Sequence, residues 1–235
     1  MTGRPVANCV GGVLSPLLAN IALSALDEHF CAKWDAHGSG GRRTAHRRRG
    51  GATYRIVRYA DDFLIMVCGA RAHAEALWEE VEAVLAPLGL RLSAAKSRVG
   101  HIDEGLDFLG FHIQRRRKRG TSRYYVYTYP SKKALASITE KVRAATSKRG
   151  QRTLAHLLRQ LNAVMRGWCY YFRFGSSTAT FHYLDAFSWR RVTLWLRKQH
   201  PGIDWRTLRR RYLTGDPGWR PEEDGVMLFV PQRGK

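Results

Sequence analysis

The fold is decided by residues 54–67, which read YRIVRYADDFLIMV. Two short runs of β-branched and aromatic residues flank Ala60, Asp61 and Asp62, and this pattern is typical of a β-hairpin with a polar turn. Two adjacent carboxylates repel each other and are best tolerated where a cation neutralises them. The sequence therefore predicts Asp61 and Asp62 at a hairpin tip as ligands of a hard cation, although aspartate-rich turns are also common without a metal.

The segments around this hairpin predict an α+β module. Ser15 and Pro16 form a helix start, and apolar residues follow at helical spacing, so a helix is predicted over 16–33. A second, amphipathic helix is predicted over residues 71–88 because its glutamates lie opposite its apolar residues. Short β-prone runs then predict four strands, over residues 90–92, 97–102, 106–113 and 123–129.

The pattern changes to helices after Pro130. Helices are predicted over residues 131–147, 151–172 and 180–200, which together make a small bundle, and residues 214–235 are predicted to form a tail. A domain boundary near residue 130 follows. The aromatic residues of this half alternate with arginines, as on a surface that stacks on bases, but most of them are predicted to lie in the bundle core.

The charge of the chain points to a polyanionic partner. Its 235 residues include 40 Lys and Arg against 19 Asp and Glu, a formal net charge of +21, and such an excess favours nucleic acid. Residues 41–58 hold seven arginines and no acid, and a flexible basic loop is predicted there. Further along the chain, nucleic-acid contacts are predicted at Arg115, Arg116, Arg117, Lys118, Arg119, Lys132, Lys133 and Arg166.

Other classes of protein are disfavoured. No stretch reaches the roughly 18 uninterrupted apolar residues of a membrane span, and the first residues lack the order of a signal peptide. A cytoplasmic protein without a membrane partner is therefore expected. The four cysteines lie far apart and have no zinc-site spacing, so neither disulfides nor structural zinc is expected.

The residues at the hairpin belong to an ordered set of motifs that resembles a known family. The sequence YADD at 59–62 resembles the polymerase signature of reverse transcriptases. GGVLSPLLANI at 11–21, LRLSAAKSR at 90–98 and FLGF at 108–111 resemble the successive palm motifs of group II intron-encoded proteins. LNAVMRGWCYYFR at 161–173 and WRR at 189–191 resemble the thumb or maturase region of that family.

This resemblance implies a partial polymerase palm over residues 1–130 and an all-α thumb and maturase domain over residues 131–213. It implies RNA-directed DNA polymerisation with Mg²⁺, deoxynucleoside triphosphates, an RNA template and a DNA primer, and splicing support through binding of intron RNA. Asp61 and Asp62 would be the catalytic metal ligands. Nucleotide and primer contacts would come from Tyr59, Ala60, Lys96, Phe108, Leu109 and Gly110, although Lys96 is also compatible with a solvated strand end and Gly110 with an ordinary turn.

The chain also departs from the family pattern. The fingers and the first palm strand, which supplies another metal-binding aspartate, have no counterpart ahead of the GGVLSP helix, and Asp27 is expected to be a surface residue instead. Residues 8–11 read NCVG where the family usually has Pro-Gln-Gly. An N-terminally truncated copy is therefore expected. Two alternatives stay open: an inactive RNA-binding maturase remnant, and one half of a split enzyme completed by a separate N-terminal fragment.

Overall fold

The computed structural model describes residues 15–147, 153–214 and 219–231. The chain divides into two compact units, residues 1–99 and 100–235. Helices are mixed with small antiparallel sheets, which confirms the α+β class. None of the described helices is long and apolar enough to cross a bilayer. The unit division follows packing, whereas the boundary near residue 130 follows from the change to a helical sequence pattern and stays a prediction. Residues 11–14 of the GGVLSP motif lie outside the described part.

The first unit packs helices on one face of a two-stranded hairpin. Apolar residues alternate along both strands and face a core formed by the helices, which includes Leu26, Phe30 and Val81. On the other face of the hairpin Tyr59 remains 68% exposed. The elements are α1 (Ser15–Ala36), α2 (Gly40–Arg48), β1 (Thr53–Tyr59), β2 (Asp62–Cys68), α3 (Arg71–Glu75), α4 (Leu77–Leu85) and a 3₁₀ turn (Ala86–Leu88).

The second unit joins a three-stranded sheet to a helical bundle. The bundle core includes Ile138, Leu158, Leu161, Met165 and Leu196, each at most 1% exposed. The strands pair in the order β3–β4–β5, and a small hairpin, β6–β7, packs on α6. The elements are β3 (Leu106–Phe108), β4 (Phe111–Arg117), β5 (Tyr124–Pro130), α5 (Lys132–Ser147), α6 (Leu154–Phe172), α7 (Thr178–Gln199), α8 (Trp205–Tyr212), β6 (Glu222–Glu223) and β7 (Val226–Met227).

The prediction of a flexible basic loop over residues 41–58 was wrong. Residues 40–48 form α2, whose N-cap Ser39 accepts a hydrogen bond from the backbone N–H of Arg42. The guanidinium of Arg43 lies over the ring of Trp34, 4.1 Å from its centroid, and Arg47 donates a hydrogen bond to Thr53 over 3.3 Å. This helix buries no residue of its own, so it leaves no apolar periodicity in the sequence.

Four further sequence predictions need correction. Residues 90–92 and 97–102 form no strand, and residues 93–97 make a turn closed by backbone hydrogen bonds to the carbonyl of Ser93. The single strand predicted over 106–113 is a hairpin that reverses between Phe108 and Phe111. The predicted tail is folded in its described part, because Arg220 donates two hydrogen bonds to Asp185 and Leu228 is fully buried.

The aromatic residues of the bundle divide between core and surface. Phe172 and Trp195 are buried, and Trp168 and Trp189 pack against the core, as predicted for most of them. Tyr170, Tyr171 and Trp205 are exposed by 63%, 50% and 42%. These three aromatic rings of the second unit are therefore open to solvent.

Candidate active site and nucleic-acid surface

The Asp61–Asp62 pair lies at the end of the β1–β2 hairpin, as predicted. Tyr59 pairs with Asp62, so Ala60 and Asp61 alone form the turn. Ala60 has a φ of +53°, in the left-handed region that residues with a Cβ seldom occupy. Both aspartates are exposed. A short antiparallel ladder and a constrained turn thus present two adjacent carboxylates to solvent.

Arg58 connects this turn to helix α1. Its Nε donates a hydrogen bond to Asp27 over 2.9 Å, and its Nη1 donates to the carbonyl of Ala60 and to Asn20 Oδ1, each over 2.9 Å. Only 13% of the Arg58 side chain is exposed. The hydrogen bond with Asp27 raises the pKa of Arg58, so the guanidinium stays charged. Asp27, expected at the surface, is 36% exposed in its side chain and is engaged in an ion pair with Arg58.

The two carboxylates at the hairpin tip suit a hard cation whose remaining ligands come from a phosphate group. Carboxylate oxygens suit Mg²⁺, which is commonly bound by one or two carboxylates together with phosphate oxygens. Among the described residues, no group of three or more His, Cys, Asp or Glu side chains is placed to hold a metal. Asp61 and Asp62 therefore suit an open site completed by phosphate oxygens and not a closed protein cage.

Lys96, predicted to act beside the carboxylates, forms no bond with either of them. It is exposed and ends the turn that begins at Ser93, to whose carbonyl its backbone N–H donates over 3.0 Å. Lys96 makes no ion pair with Asp61 or Asp62, all three residues being described. Its predicted contact with a nucleotide stays a prediction.

The FLGF segment of the second unit forms another tight hairpin. Leu109 and Gly110 are both left-handed, with φ of +48° and +78°, and Phe108 pairs with Phe111 across them. The Tyr171 hydroxyl donates to the carbonyl of Leu109 over 2.9 Å, and the backbone N–H of Ser131 donates to the carbonyl of Gly110 over 2.8 Å. A Cβ at position 110 would lie 3.3 Å from the Phe172 ring, so a close contact favours glycine here as well.

An open groove of about 530 Å³ follows the end of the β4–β5 ribbon. We call it the basic groove; its wall consists mainly of four cations and two tyrosines, Arg116, Arg117, Lys118, Arg119, Tyr127 and Tyr129. Two of the cations lie beside aromatic rings: Arg116 is 5.7 Å from the centroid of Tyr129, and Lys118 is 5.8 Å from that of Tyr125. This combination of positive charge and aromatic faces is suited to a nucleic-acid backbone and its bases.

The other predicted nucleic-acid contacts differ in their surroundings. Arg115 is on the same strand but is bound to Asp103 by two hydrogen bonds of 2.6 and 2.8 Å. The Arg115 hydrogen bond lowers the pKa of Asp103. Lys132 and Lys133 are exposed in the first turn of α5, and Arg166 lies on α6 over the ring of Phe229. None of these four residues lines the basic groove.

Sequence reasoning missed the residues that hold the two hairpin turns. Asp27, Asn20 and Arg58 meet only because α1 packs beside β1, and Tyr171 reaches Leu109 across 62 positions of the chain. The only sequence signal was that a charged residue, Arg58, directly precedes the YADD segment. Partners distant in sequence carry no spacing that a single chain could reveal.

Comparisons with known proteins match both halves of the chain. Residues 7–113 match the family model of reverse transcriptase (RNA-dependent DNA polymerase), and residues 135–213 match that of the group II intron, maturase-specific domain. The chain is also 36% identical over 139 residues to Protein YkfC of Escherichia coli (strain K12). That alignment covers 53% of this chain and 36% of that protein, so the chain matches about a third of its relative's length.

Proposed function

The chain belongs to the family of group II intron reverse transcriptases and maturases, and on that premise we propose that it serves RNA-directed DNA synthesis and the binding of intron RNA. In this proposal residues 1–130 carry palm motifs and residues 131–213 form the thumb and maturase domain. The substrates are deoxynucleoside triphosphates, a DNA primer and an RNA template, and the reaction is nucleotidyl transfer.

The observation that carries the polymerase proposal is the exposed Asp61–Asp62 pair at a turn whose backbone is held by Arg58. In nucleotidyl transfer the primer 3′-hydroxyl gives up its proton to solvent as its oxygen attacks the α-phosphorus of the deoxynucleoside triphosphate. A new P–O bond forms, the bond from the α-phosphorus to the bridging oxygen breaks, and pyrophosphate leaves with the electrons of that bond. Mg²⁺, when bound, neutralises the charge that develops on the phosphate oxygens. Asp61 and Asp62 hold that ion, while the Tyr59 ring and the Ala60 backbone contact the primer end and the incoming nucleotide.

Two further segments have positioning roles in the proposal. Lys96 binds the triphosphate or the nucleic-acid backbone as a point charge. The turn at Phe108, Leu109 and Gly110 supports the primer strand, and its hydrogen bonds to Tyr171 and Ser131 support that role because they fix the backbone. Because the carbonyls of Leu109 and Gly110 are both already bonded, this turn would lose little conformational freedom on contact with the primer strand.

RNA binding is proposed for the basic groove and for other exposed cations of the second unit. Neutralising phosphates releases condensed counterions, so binding of this kind is strong and falls steeply with salt. Lys132, Lys133 and Arg166 are proposed as further phosphate contacts because they are exposed, whereas Arg115 contributes less because its guanidinium already binds Asp103.

A second candidate function is intron RNA binding without polymerisation. It is favoured by the metal-ligand arrangement, because the described residues offer the two neighbouring aspartates and no third ligand group beside them. Two-metal sites commonly hold ions about 3.5–4 Å apart and need several ligands. In this alternative the basic groove and the maturase domain retain their roles and Asp61 and Asp62 have none.

Primer extension separates the two candidates. The purified chain is incubated with a DNA primer annealed to RNA, Mg²⁺ and deoxynucleotides, and RNA affinity is measured on the same preparation. Extension that requires Mg²⁺ supports the polymerase. Tight RNA binding without extension supports the second candidate, provided that extension is also absent after an N-terminal fragment of the family's polymerase domain has been added.

A further inference from the structure

A second open cavity, of about 380 Å³, lies where α7 and α8 meet. Its wall is made by two tryptophans, two arginines and two smaller residues, Trp189, Arg190, Thr193, Leu194, Arg197 and Trp205. All of them belong to the second unit. The proposed polymerase reaction uses none of these side chains, and the basic groove is lined by other residues.

The local structure fixes the Trp189 ring and the backbone that carries the Trp205 ring. Trp189 packs against the bundle core, and its Nε1–H donates to the carbonyl of Trp219 over 3.0 Å. Trp205 is the first residue of α8, directly after the N-cap Asp204, whose carboxylate accepts backbone hydrogen bonds of 3.0 and 3.2 Å. Because the Trp189 donor is already bonded, its ring offers an aromatic face rather than a hydrogen bond.

The two arginines add positive charge at the same cavity. Arg190 and Arg197 are seven positions apart on α7, and residues at this spacing lie on one side of a helix about two turns apart. Both are exposed, and neither has a carboxylate partner among the residues that the structure describes. The nearest acid in sequence to Trp205 is Asp204, which is engaged as the cap of α8. Leu194, 42% exposed, lies between the arginines along the helix.

We propose that this cavity binds one unpaired nucleotide of an RNA, with the base stacked on the Trp205 and Trp189 rings and the adjacent phosphates bound by Arg190 and Arg197. The proposal rests on the proposed RNA binding of the chain. Unpaired bases are the part of an RNA that can be inserted into an aromatic cavity, because bases within a duplex remain stacked on each other. An acidic peptide would use the arginines but would leave the two aromatic faces without a matching group.

The test compares two RNAs on the full chain by fluorescence anisotropy. One is a labelled hairpin with an unpaired uridine loop, and the other is a fully paired duplex with the same number of phosphates. Trp205→Ala removes an exposed ring, and we expect it to weaken loop binding by about 5- to 100-fold while duplex binding changes by less than about twofold. Trp219→Ala is the matched control: that ring is 56% exposed and outside the cavity, and its backbone carbonyl still bonds Trp189.

A second measurement maps the contact itself. With 4-thiouridine in the loop, photocrosslinks are expected on the peptides that contain Trp189 to Arg197 or Trp205. Equal loop affinity of Trp205→Ala and the wild type, or crosslinks confined to other peptides, would overturn the cavity assignment while leaving RNA binding in place. Binding of a labelled glutamate-rich peptide that is lost in Arg190→Gln/Arg197→Gln would assign the cavity to acidic peptides instead. A wild-type chain that binds neither RNA would overturn the proposed RNA binding as well.

Discussion

Arg58 and Asp27 form an ion pair that joins β1 to α1, with the Arg58 Nε 2.9 Å from a carboxylate oxygen of Asp27. The same guanidinium binds the carbonyl of Ala60, the left-handed residue beside the aspartate pair. The pair therefore couples helix packing to the conformation of the turn. If Asp61 and Asp62 are metal ligands, the position of α1 influences where their carboxylates lie.

Asp27→Asn is expected to lower the free energy of unfolding of the first unit by about 1 kcal/mol, because Arg58 loses its charged partner in a half-buried position. Any primer extension should fall several-fold because the turn is held less firmly, while RNA affinity stays unchanged. Chemical denaturation and primer extension measure the two effects. Glu28→Gln, an exposed acid at the next position of α1, is the control and should change neither. A drop in RNA affinity with Asp27→Asn would contradict this assignment.

Glu80 predicts a pH dependence of the first unit. Its carboxylate binds Lys33 and His29 of α1, each over 2.6 Å. Burial alone would raise the pKa of Glu80, but the hydrogen bonds from His29 and Lys33 outweigh it and lower the pKa. The stabilisation is fully present above the ordinary glutamate pKa and is lost as the pH falls through the lowered value in the folded state.

Glu80→Gln should therefore lower stability at neutral pH by up to about 1 kcal/mol, and the difference from the wild type should vanish in acid. Urea denaturation across a pH series measures it. Glu79→Gln changes the exposed neighbour and serves as the control. A difference that persists unchanged below the carboxyl range would show that the ion pair is not its source.

Charges of the basic groove should set the salt dependence of RNA binding. Each phosphate contact that is lost lowers the slope of log affinity against log salt by about 0.7 to 0.9. The double variant Arg116→Gln/Lys118→Gln should therefore reduce the slope by about 1.5. Arg91→Gln/Lys141→Gln removes the same charge from exposed positions outside the groove and should have less effect. Equal slopes for the two double variants would rule out the groove as the phosphate contact.

Cys169 should resist thiol reagents. Burial, with a smaller contribution from Asp185, raises the pKa of this thiol to about 12, so almost no thiolate forms near neutral pH. Cys31 and Cys68 are exposed. Peptide mapping after alkylation of the native chain should find those two modified and Cys169 intact until denaturant is added. Early modification of Cys169 would show that α6 opens in the native state.

Sequence patterns predicted the parts of the fold that depend on local chemistry. The β1–β2 hairpin, α1 and the three long helices follow from alternation, helical periodicity and caps. Ser131 caps α5, its Oγ accepting a hydrogen bond from the Ala134 backbone N–H over 3.2 Å. Helix α2 escaped prediction because cation–π contacts and hydrogen bonds hold it rather than an apolar face. The strands predicted over 90–92 and 97–102 are absent because short β-prone runs form strands only where a neighbour pairs with them.

The candidate site was only partly accessible from the sequence. The two carboxylates are consecutive in the sequence, and so are the cations of the basic run, so each group could be identified directly. The ion pair of Arg115 with Asp103 removes one cation from the predicted surface, and that pairing depends on how residues 101–105 pack beside β4. The Trp189–Trp205 cavity likewise requires the approach of two helices, which no spacing along the chain reveals.

The most direct test of the central claim is Asp61→Ala, with primer extension and RNA affinity measured on one preparation. Asp224→Ala is the matched control, because Asp224 is also an exposed aspartate in a tight hairpin turn, with a φ of +52°. We predict that Asp61→Ala abolishes Mg²⁺-dependent extension and leaves RNA affinity unchanged, while Asp224→Ala changes neither. Extension by Asp61→Ala at the wild-type rate would contradict the assignment of the hairpin tip as the site of nucleotidyl transfer.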